Sequence, residues 1–180
     1  MKPAEHPDFF RVAPPGGQSR ESRIVLDRHG SFWHEGERVA HPALRAALGR
    51  WIARHPVDRR YVLTNGHDWC YLTVEDTPYF VVALQRDADR AELELSDGTR
   101  EPLDPGSLAI GAEGELRARV KGGSFEARFS RHAQLSMEPL LCEDDDGVLC
   151  VALEGRRHAV PAIGSQRERG PDEVTAPARR

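Results

Sequence analysis

Residues 60–84 have the sequence RYVLTNGHDWCYLTVEDTPYFVVAL, and this stretch decides the fold because it is the richest β-forming segment of the chain. Asn65-Gly66 is a strong hairpin-turn dipeptide, since a tight turn needs positive φ angles and both residues tolerate them. Thr77-Pro78 interrupts the pattern, and residues 79–84 are then almost wholly apolar, as in a strand covered on both faces. The stretch therefore predicts an antiparallel sheet of three strands.

Strand alternation divides the middle of this stretch into two faces. One face carries small and aliphatic side chains, namely Cys70, Leu72 and Val74. The other face carries Trp69, Tyr71 and Thr73. The first set suits a core packed under a helix. We therefore expect the second, aromatic face to meet the other half of the chain or a ligand.

One helix is well defined in the N-terminal half, from Pro42 to Arg54. Proline suits the first helical turn, because its missing N–H would have no partner there. Apolar residues recur at helical spacing and form one stripe, which consists of Leu44, Ala47, Leu48, Trp51 and Ile52. His55-Pro56 ends the helix, since the residue before a proline is pushed out of helical geometry.

The remaining segments predict short strands joined by turns. In the C-terminal half, Gly122-Gly123 is expected to join a hairpin. Its inward residues are predicted to be Leu116, Ala118, Val120, Phe125, Ala127 and Phe129. The fold class is therefore α+β, with mostly antiparallel sheets in two small β-rich subdomains.

Composition divides the chain into four parts. We expect a disordered or loosely docked arm at 1–21, an N-terminal α+β subdomain at 22–86, a C-terminal β-rich subdomain at 87–161 and a disordered tail at 162–180. The boundary between the subdomains is placed in a polar segment, residues 85–90.

The overall charge gives no general attraction to nucleic acid or to an anionic membrane surface. The formal net charge is -4 and the isoelectric point is near 6.1. No apolar run approaches the roughly 20 residues that span a bilayer, and the first residues lack the apolar stretch of a secretory signal. We therefore expect a cytoplasmic protein that binds neither nucleic acid nor membrane.

The cysteines and acidic residues do not predict a metal site. Cys70, Cys142 and Cys150 are irregularly spaced and form no C-x-x-C pair, so small buried side chains are the favoured interpretation of Cys70 and Cys150. The acidic run at residues 143–146 lacks the alternating ligands of a calcium loop and indicates a solvated turn. No motif for a cofactor is present, and no cofactor is expected.

The densest aromatic and polar group predicts a ligand site. It consists of Trp33, His34, Asn65, His67, Trp69 and Tyr71. The alternative is that both tryptophans cap the core and that the polar residues shape turns. His67 and Asp68 are adjacent on a strand and point to opposite faces, so they do not predict a catalytic pair, and no catalytic residue is assigned.

The arginines of the predicted helix admit two interpretations. Arg45, Arg50 and Arg54 are expected to form a solvated helix face, and an anion site is the less favoured alternative.

The pattern I-x-x-x-x-x-G-x-F-W-x-x-G at Ile24 to Gly36, the helix after it, and V-E-D-T-P-Y-F at Val74 to Phe80 resemble a bacterial family known as domain of unknown function 1285, DUF1285. The resemblance covers roughly residues 22–160. It implies an α+β fold with repeated small β/α motifs in two subdomains. It also implies a regulatory or ligand-sensing role without an established enzymatic activity.

Three functions remain open at this point. The leading hypothesis is a non-catalytic sensing or regulatory module that binds a small ligand or a protein partner between its two halves. The second is an enzyme, such as a hydrolase that uses His67 or Asp68. The third is a structural or assembly module, which a stable homodimer or a large exposed apolar patch would favour.

Overall fold

The computed structural model describes residues 6, 8–87 and 90–164. In the described residues the strands are β1 Ile24–Leu26, β2 Phe32–His34, β3 Glu37–Arg38, β4 Ile52–Arg54, β5 Tyr61–Thr64, β6 Trp69–Tyr71, β7 Thr73–Val74, β8 Tyr79–Asp87, β9 Arg90–Leu95, β10 Arg100–Pro102, β11 Ala109–Ile110, β12 Leu116–Val120, β13 Phe125–Phe129, β14 Leu141–Glu143, β15 Leu149–Leu153 and β16 Arg156–Ala159. The α-helices are α1 Pro42–Arg50 and α2 Arg131–Met137. The fold class is α+β and rich in β-structure, as predicted.

The strands form four sheets within the described part of the chain. The first sheet has the order β3-β2-β1-β7, and the second has the order β4-β5-β6. A six-stranded sheet has the order β10-β9-β8-β13-β12-β11, and the last has the order β14-β15-β16. Strand pairs are antiparallel except for β1 with β7 and β8 with β13. Both parallel pairs join segments that are distant in sequence.

The prediction of one three-stranded sheet from residues 60–84 was wrong. β5 and β6 form the expected hairpin, although its loop is four residues long. β7 instead pairs with β1, and the amide of Glu75 donates to the carbonyl of Leu26 at 3.0 Å. β8 joins the six-stranded sheet beside β9 and β13. The strands of residues 60–84 therefore belong to three different sheets, because β7 and β8 pair with strands that are distant in the sequence.

The helix is shorter than predicted. α1 begins at Pro42 but ends at Arg50, and the next residues form β4, in which Ile52 lies opposite Leu63. Gly49 lies so close to Asp97 that a Cβ on it would stand 3.0 Å from the Cβ of Asp97. The apolar stripe is also only partly buried, because Leu48 is in the core whereas Leu44 is 44% exposed. Ile52 is buried as predicted, but as a strand residue.

A continuous cluster of buried side chains extends through both predicted halves. It includes Leu26 and Leu48 from the first half and Leu93, Val120 and Val151 from the second. The division into subdomains at residues 86 and 87 stays a prediction. Of the predicted terminal segments, residues 1–5, 7 and 165–180 lie outside the described residues.

Candidate functional site

An open cleft of about 880 Å³ lies between elements of the two predicted halves. One wall consists of the turn between β1 and β2 together with α1, from which Pro42, Arg45, Ala46 and Gly49 line the space. The rest of the lining comes from β8, the turn between β9 and β10, the loop before β12, the end of β13 and α2. The cleft is therefore bounded by segments far apart in sequence.

Apolar side chains form part of the cleft. Phe80 is buried, and the β1–β2 turn packs on its ring so closely that a Cβ on Gly30 would stand 3.0 Å from a ring carbon. Gly30 has a φ of +80°, a conformation that glycine adopts without steric cost. Val82 and Leu135 also line the cleft and are exposed. The cleft thus offers apolar surface to a bound molecule.

The charge of the cleft is opposite to that of the whole chain. Its lining contains Arg28, Arg38, Arg45, Arg128 and Arg131, together with His29. The acidic side chains of the lining are Glu113 and Glu115. A chain with a net charge of -4 therefore concentrates guanidinium groups in one place.

Three of these arginines have neither an ion pair nor a side-chain hydrogen bond within the described residues. Within the described residues, Arg28, Arg45 and Arg131 take part in none of the ion pairs. Arg38 is also outside the ion pairs of the described residues, but its guanidinium donates a hydrogen bond to the hydroxyl of Ser31 at 3.1 Å. Arg28 in the β1–β2 turn, Arg45 in α1 and Arg131 in α2 thus line the same cleft.

The acidic residues of the cleft are already neutralised by an ion-pair network. Arg128 pairs with Asp76 at 3.1 Å and with Glu113 at 3.2 Å. Arg117 pairs with Asp76 at 2.8 Å and with Glu115 at 2.6 Å. Burial of Glu115 is the largest single effect and opposes its ionisation, but the hydrogen bonds from Arg117 and from backbone amides, together with the charge of Arg117, hold the pKa of Glu115 below its ordinary value. The network holds Arg128 and the acidic residues of the lining in place. It does not neutralise the positive charges of Arg28, Arg45 and Arg131.

A substitution at Gly111 would test how tightly this network is packed. A Cβ at this position would lie 1.9 Å from a carboxylate oxygen of Glu115. Gly111→Ala is therefore expected to displace Glu115 from Arg117 and to lower the free energy of unfolding by about 1–3 kcal/mol. Chemical denaturation measures the change. The control is Gly106→Ala, where the nearest atom would lie at 3.4 Å, and an equal loss in both variants would contradict the explanation.

The six residues predicted as a ligand site lie in two different sheets. Trp33 and His34 are in β2, where the indole of Trp33 donates to Asp27 at 2.7 Å and His34 is exposed. The other four residues belong to the β5–β6 hairpin, namely Asn65, His67, Trp69 and Tyr71. None of the six is in the lining of the cleft. Their role in ligand binding stays a prediction.

The polar residues of the hairpin make local contacts. The side-chain oxygen of Asn65 accepts from the backbone amides of His67 and Asp68, both at 2.9 Å. The hydroxyl of Tyr71 donates to Asp58 at 2.7 Å. Asp68 is paired with Arg20, whose hydrogen bond lowers the pKa of the carboxyl group. These contacts shape the turn, which is what the alternative interpretation of the sequence expects.

The aromatic face was expected to meet the other half of the chain or a ligand, but at Trp69 it is covered by the N-terminal arm. Trp69 is only 6% exposed and packs with the buried side chain of Phe9, while the rings of Phe10 and Trp69 lie 5.5 Å apart. The guanidinium of Arg20 lies 4.6 Å from the Trp69 ring and donates to the carbonyl oxygens of Trp69, at 2.6 Å, and of Val12, at 3.1 Å. On the opposite face, Leu72 is buried in the main core as predicted.

Arg20 is expected to control how firmly this arm is docked. Arg20→Gln removes a charged donor that joins the arm to the hairpin, and such bonds contribute about 1.5–3 kcal/mol each. We expect cleavage by chymotrypsin at Phe9 and Phe10 to become roughly 10- to 100-fold faster, because the arm opens more often. Arg23→Gln is the control, since Arg23 forms an exposed ion pair with Glu35. Unchanged cleavage of the Arg20 variant would contradict this role.

The sequence interpretation missed the residues of the cleft. Arg45 was expected on a solvated helix face, with an anion site as the less favoured alternative, and the residues with which it shares the cleft are spread from Leu26 to Leu135. No local spacing connects these positions, because the lining residues come from elements that are far apart in the sequence and that only the tertiary fold brings together.

Neither a metal-ligand cluster nor a membrane-spanning helix is found in the described residues. No group of three or more His, Cys, Asp and Glu side chains there is arranged to hold a metal ion. No helix in the same residues has the length and apolar composition needed to cross a membrane.

Comparison with known proteins identifies solved structures with the same fold. A DUF1285 family protein from Silicibacter pomeroyi DSS-3 matches with a TM-score of 0.64 at 16% identity, over 79% of this chain and 81% of that chain. A DUF1285 family protein from Shewanella baltica OS155 matches with a TM-score of 0.50 at 19% identity, over 63% of this chain and 87% of that chain. No family model and no curated protein matches the sequence. The chain therefore has the fold of the DUF1285 family proteins, the family that its sequence motifs resemble.

Proposed function

We propose that this protein is a sensing or regulatory module that binds a small anionic molecule in the cleft between its two halves. The observation that carries the proposal is the presence in one cleft of three arginines, Arg28, Arg45 and Arg131, whose side chains have neither an ion pair nor a hydrogen bond among the described residues. The proposal keeps the position that the leading sequence hypothesis gave to the ligand and moves the binding residues to the cleft.

The chemistry of the arginines defines the class of ligand. A guanidinium group presents several N–H donors in a planar fork that matches the oxygens of a phosphate or carboxylate. A group of arginines without counter-charges is electrostatically unfavourable until an anion enters, because like charges repel and the cleft is partly shielded from solvent. The cleft is thus suited to a ligand with negative charge on its polar side.

The apolar part of the cleft adds a second requirement. Phe80, Val82 and Leu135 present carbon surface beside the arginines. Binding sites for small molecules combine apolar walls with a few polar groups that fix the orientation of the ligand. We therefore favour an organic anion with an apolar or aromatic portion over an inorganic ion. A cytoplasmic location stays our prediction from the sequence.

A second candidate is the hairpin site that the sequence predicted. A smaller cavity of about 440 Å³ is lined by Phe9, Arg20 and His67 among others. Close by, the buried indole N–H of Trp69 has no hydrogen-bond acceptor among the described residues. An unpaired buried donor is costly, so a ligand that brings an acceptor would be favoured there. His67 is exposed and Asp68 is paired with Arg20, which gives the hydrolase hypothesis no support.

A thermal-shift screen distinguishes the two sites. The panel contains phosphorylated and carboxylated metabolites together with neutral analogues of similar size, tested on wild type, Arg45→Gln and Trp69→Phe. We expect anions to raise the melting temperature of wild type and Trp69→Phe but not of Arg45→Gln, because a ligand stabilises only the state that binds it. Stabilisation lost in Trp69→Phe alone would assign binding to the hairpin site, and stabilisation by neutral analogues alone would contradict the proposal.

A further inference from the structure

Two cysteines lie directly opposite each other on neighbouring strands. Cys142 in β14 is the register partner of Cys150 in β15, and the two strands are antiparallel. Directly opposed residues of an antiparallel pair place their side chains on the same face of the sheet. Leu141, Leu149 and Val151 occupy the other face and pack in the main core. The two thiols therefore share the face of the hairpin that is turned away from that core.

The hydrogen bonds around this pair define its spacing. The amide of Asp144 donates to the carbonyl of Val148 at 3.0 Å, and the amide of Val160 donates to that of Leu149 at 2.8 Å. Hydrogen-bonded pairs alternate along antiparallel strands, so Cys142 and Cys150 form a hydrogen-bonded pair. The Cα atoms of such a pair are about 5.5 Å apart, which is within the range of about 4.4–6.8 Å that disulfides span.

The position of β14 in the sheet allows the remaining adjustment. Opposed Cβ atoms in a hydrogen-bonded pair are about 5.5 Å apart, whereas a disulfide holds them at about 3.5–4.5 Å. The strands must therefore approach by about 1 Å locally. β14 is at the edge of its sheet and is hydrogen-bonded to β15 alone among the described strands. An edge strand accepts such a shift more readily than a strand paired on both sides.

The two thiols differ in their access to solvent. Cys150 is only 3% exposed, which agrees with the buried position expected for it, whereas Cys142 is half-buried. A small oxidant in solution therefore meets Cys142 first. Cys150 lies directly opposite on the next strand, within reach as a resolving thiol.

We propose that Cys142 and Cys150 form a reversible disulfide when the protein meets a small-molecule disulfide such as oxidised glutathione. The Cys142 thiolate attacks one sulfur of the oxidant, forms a mixed disulfide and expels one thiolate. The Cys150 thiolate then attacks the Cys142 sulfur, closes the intramolecular S–S bond and expels the second thiolate. The two protons that the cysteines lose go to the two departing thiols, so the oxidant is reduced by two electrons and the cysteine pair is oxidised by two.

Trypsin provides a direct test on the full chain. Cleavage after Arg131 and Arg156 places both cysteines in one peptide, residues 132–156, whereas Cys70 is in the peptide of residues 61–86. The native protein is incubated with oxidised glutathione, alkylated and digested. We expect the 132–156 peptide to lose two hydrogens and to escape alkylation, while the Cys70 peptide is alkylated as before. Dithiothreitol should restore alkylation of both cysteines.

Variants separate ring closure from simple modification. Cys150→Ser is expected to trap glutathione on Cys142, because the resolving thiol is missing. Cys142→Ser is expected to leave Cys150 unmodified, and Cys70→Ser should oxidise as wild type does. A stable mixed disulfide on Cys142 in the wild type, a disulfide between two copies of the chain, or an unchanged peptide would each overturn the proposal. Cys150→Ala replaces Cys150→Ser if the buried hydroxyl prevents folding.

Discussion

The Arg45→Gln protein is expected to bind a cleft anion about 10- to 100-fold more weakly than the wild type. A hydrogen bond with a charged partner contributes about 1.5–3 kcal/mol, and each 1.4 kcal/mol corresponds to a factor of ten in affinity. Arg45 is exposed on α1 and has no ion pair among the described residues, so its replacement should not change the stability of the unliganded protein. Isothermal titration with an anion found in the screen measures the difference.

The same helix supplies the control. Arg50 is also exposed on α1 but is not in the lining of the cleft. Arg50→Gln removes the same charge from the same element and should reduce the affinity less than about threefold, because long-range charge effects are screened at physiological salt. Equal losses in both variants would show that the net charge of the helix matters rather than a contact in the cleft.

The largest loss of stability is expected from Arg117→Met. Arg117 bonds Asp76, Glu115 and Glu126, and the Glu115 side chain is only 7% exposed. Removing the cation leaves buried carboxylates without their main partner, which costs about 2–4 kcal/mol even though methionine preserves much of the packing. Chemical denaturation of the variant and the wild type at neutral pH measures the loss.

Acid provides a second measurement on the same variant. Because the pKa of Glu115 is lowered in the folded protein, its ionisation stabilises the fold at pH values above the ordinary carboxyl range and this stability is lost as the pH falls. The difference between Arg117→Met and wild type should therefore shrink from about pH 5 towards pH 2. The matched control, Arg119→Met on the same strand, replaces an exposed arginine and should change stability by less than about 0.5 kcal/mol. A pH-independent loss would contradict the ionic explanation.

Features of the fold that depend on residues adjacent in the sequence could be predicted from the sequence. The β12–β13 hairpin about Gly122-Gly123 is present, and Ala118, Val120 and Ala127 point inward as expected. α1 begins at Pro42 because the local chemistry of proline determines that position. Its end was not predictable, because the chain after Arg50 adopts strand geometry to pair with β5, and helical spacing of apolar residues cannot show this competition.

The candidate site depends almost wholly on contacts between distant residues. Arg28 and Arg131 are brought to one cleft by a fold whose two parallel pairings were not evident from any local pattern. The aromatic face of Trp69 was correctly separated from Leu72 by strand alternation. The arm was expected to be either disordered or loosely docked, but the surface that Phe9 covers was not predicted, because it depends on a partner far along the chain.

The parallel pairing of β8 also determines when the cleft can exist during synthesis. β9 follows β8 directly, but Ser130, which contacts Val82 at the end of the β13 pairing, is made 48 residues later. A ribosome adds about 5–20 residues per second, so the edge of β8 that later pairs with β13 has no partner strand for roughly 2–10 seconds. During this time the apolar strand β8 is exposed to aggregation. The nascent chain also cannot compete with finished protein for the ligand, because its cleft is incomplete. We expect ribosome-bound chains that end before residue 125 to be cleaved readily by protease and to bind no cleft anion.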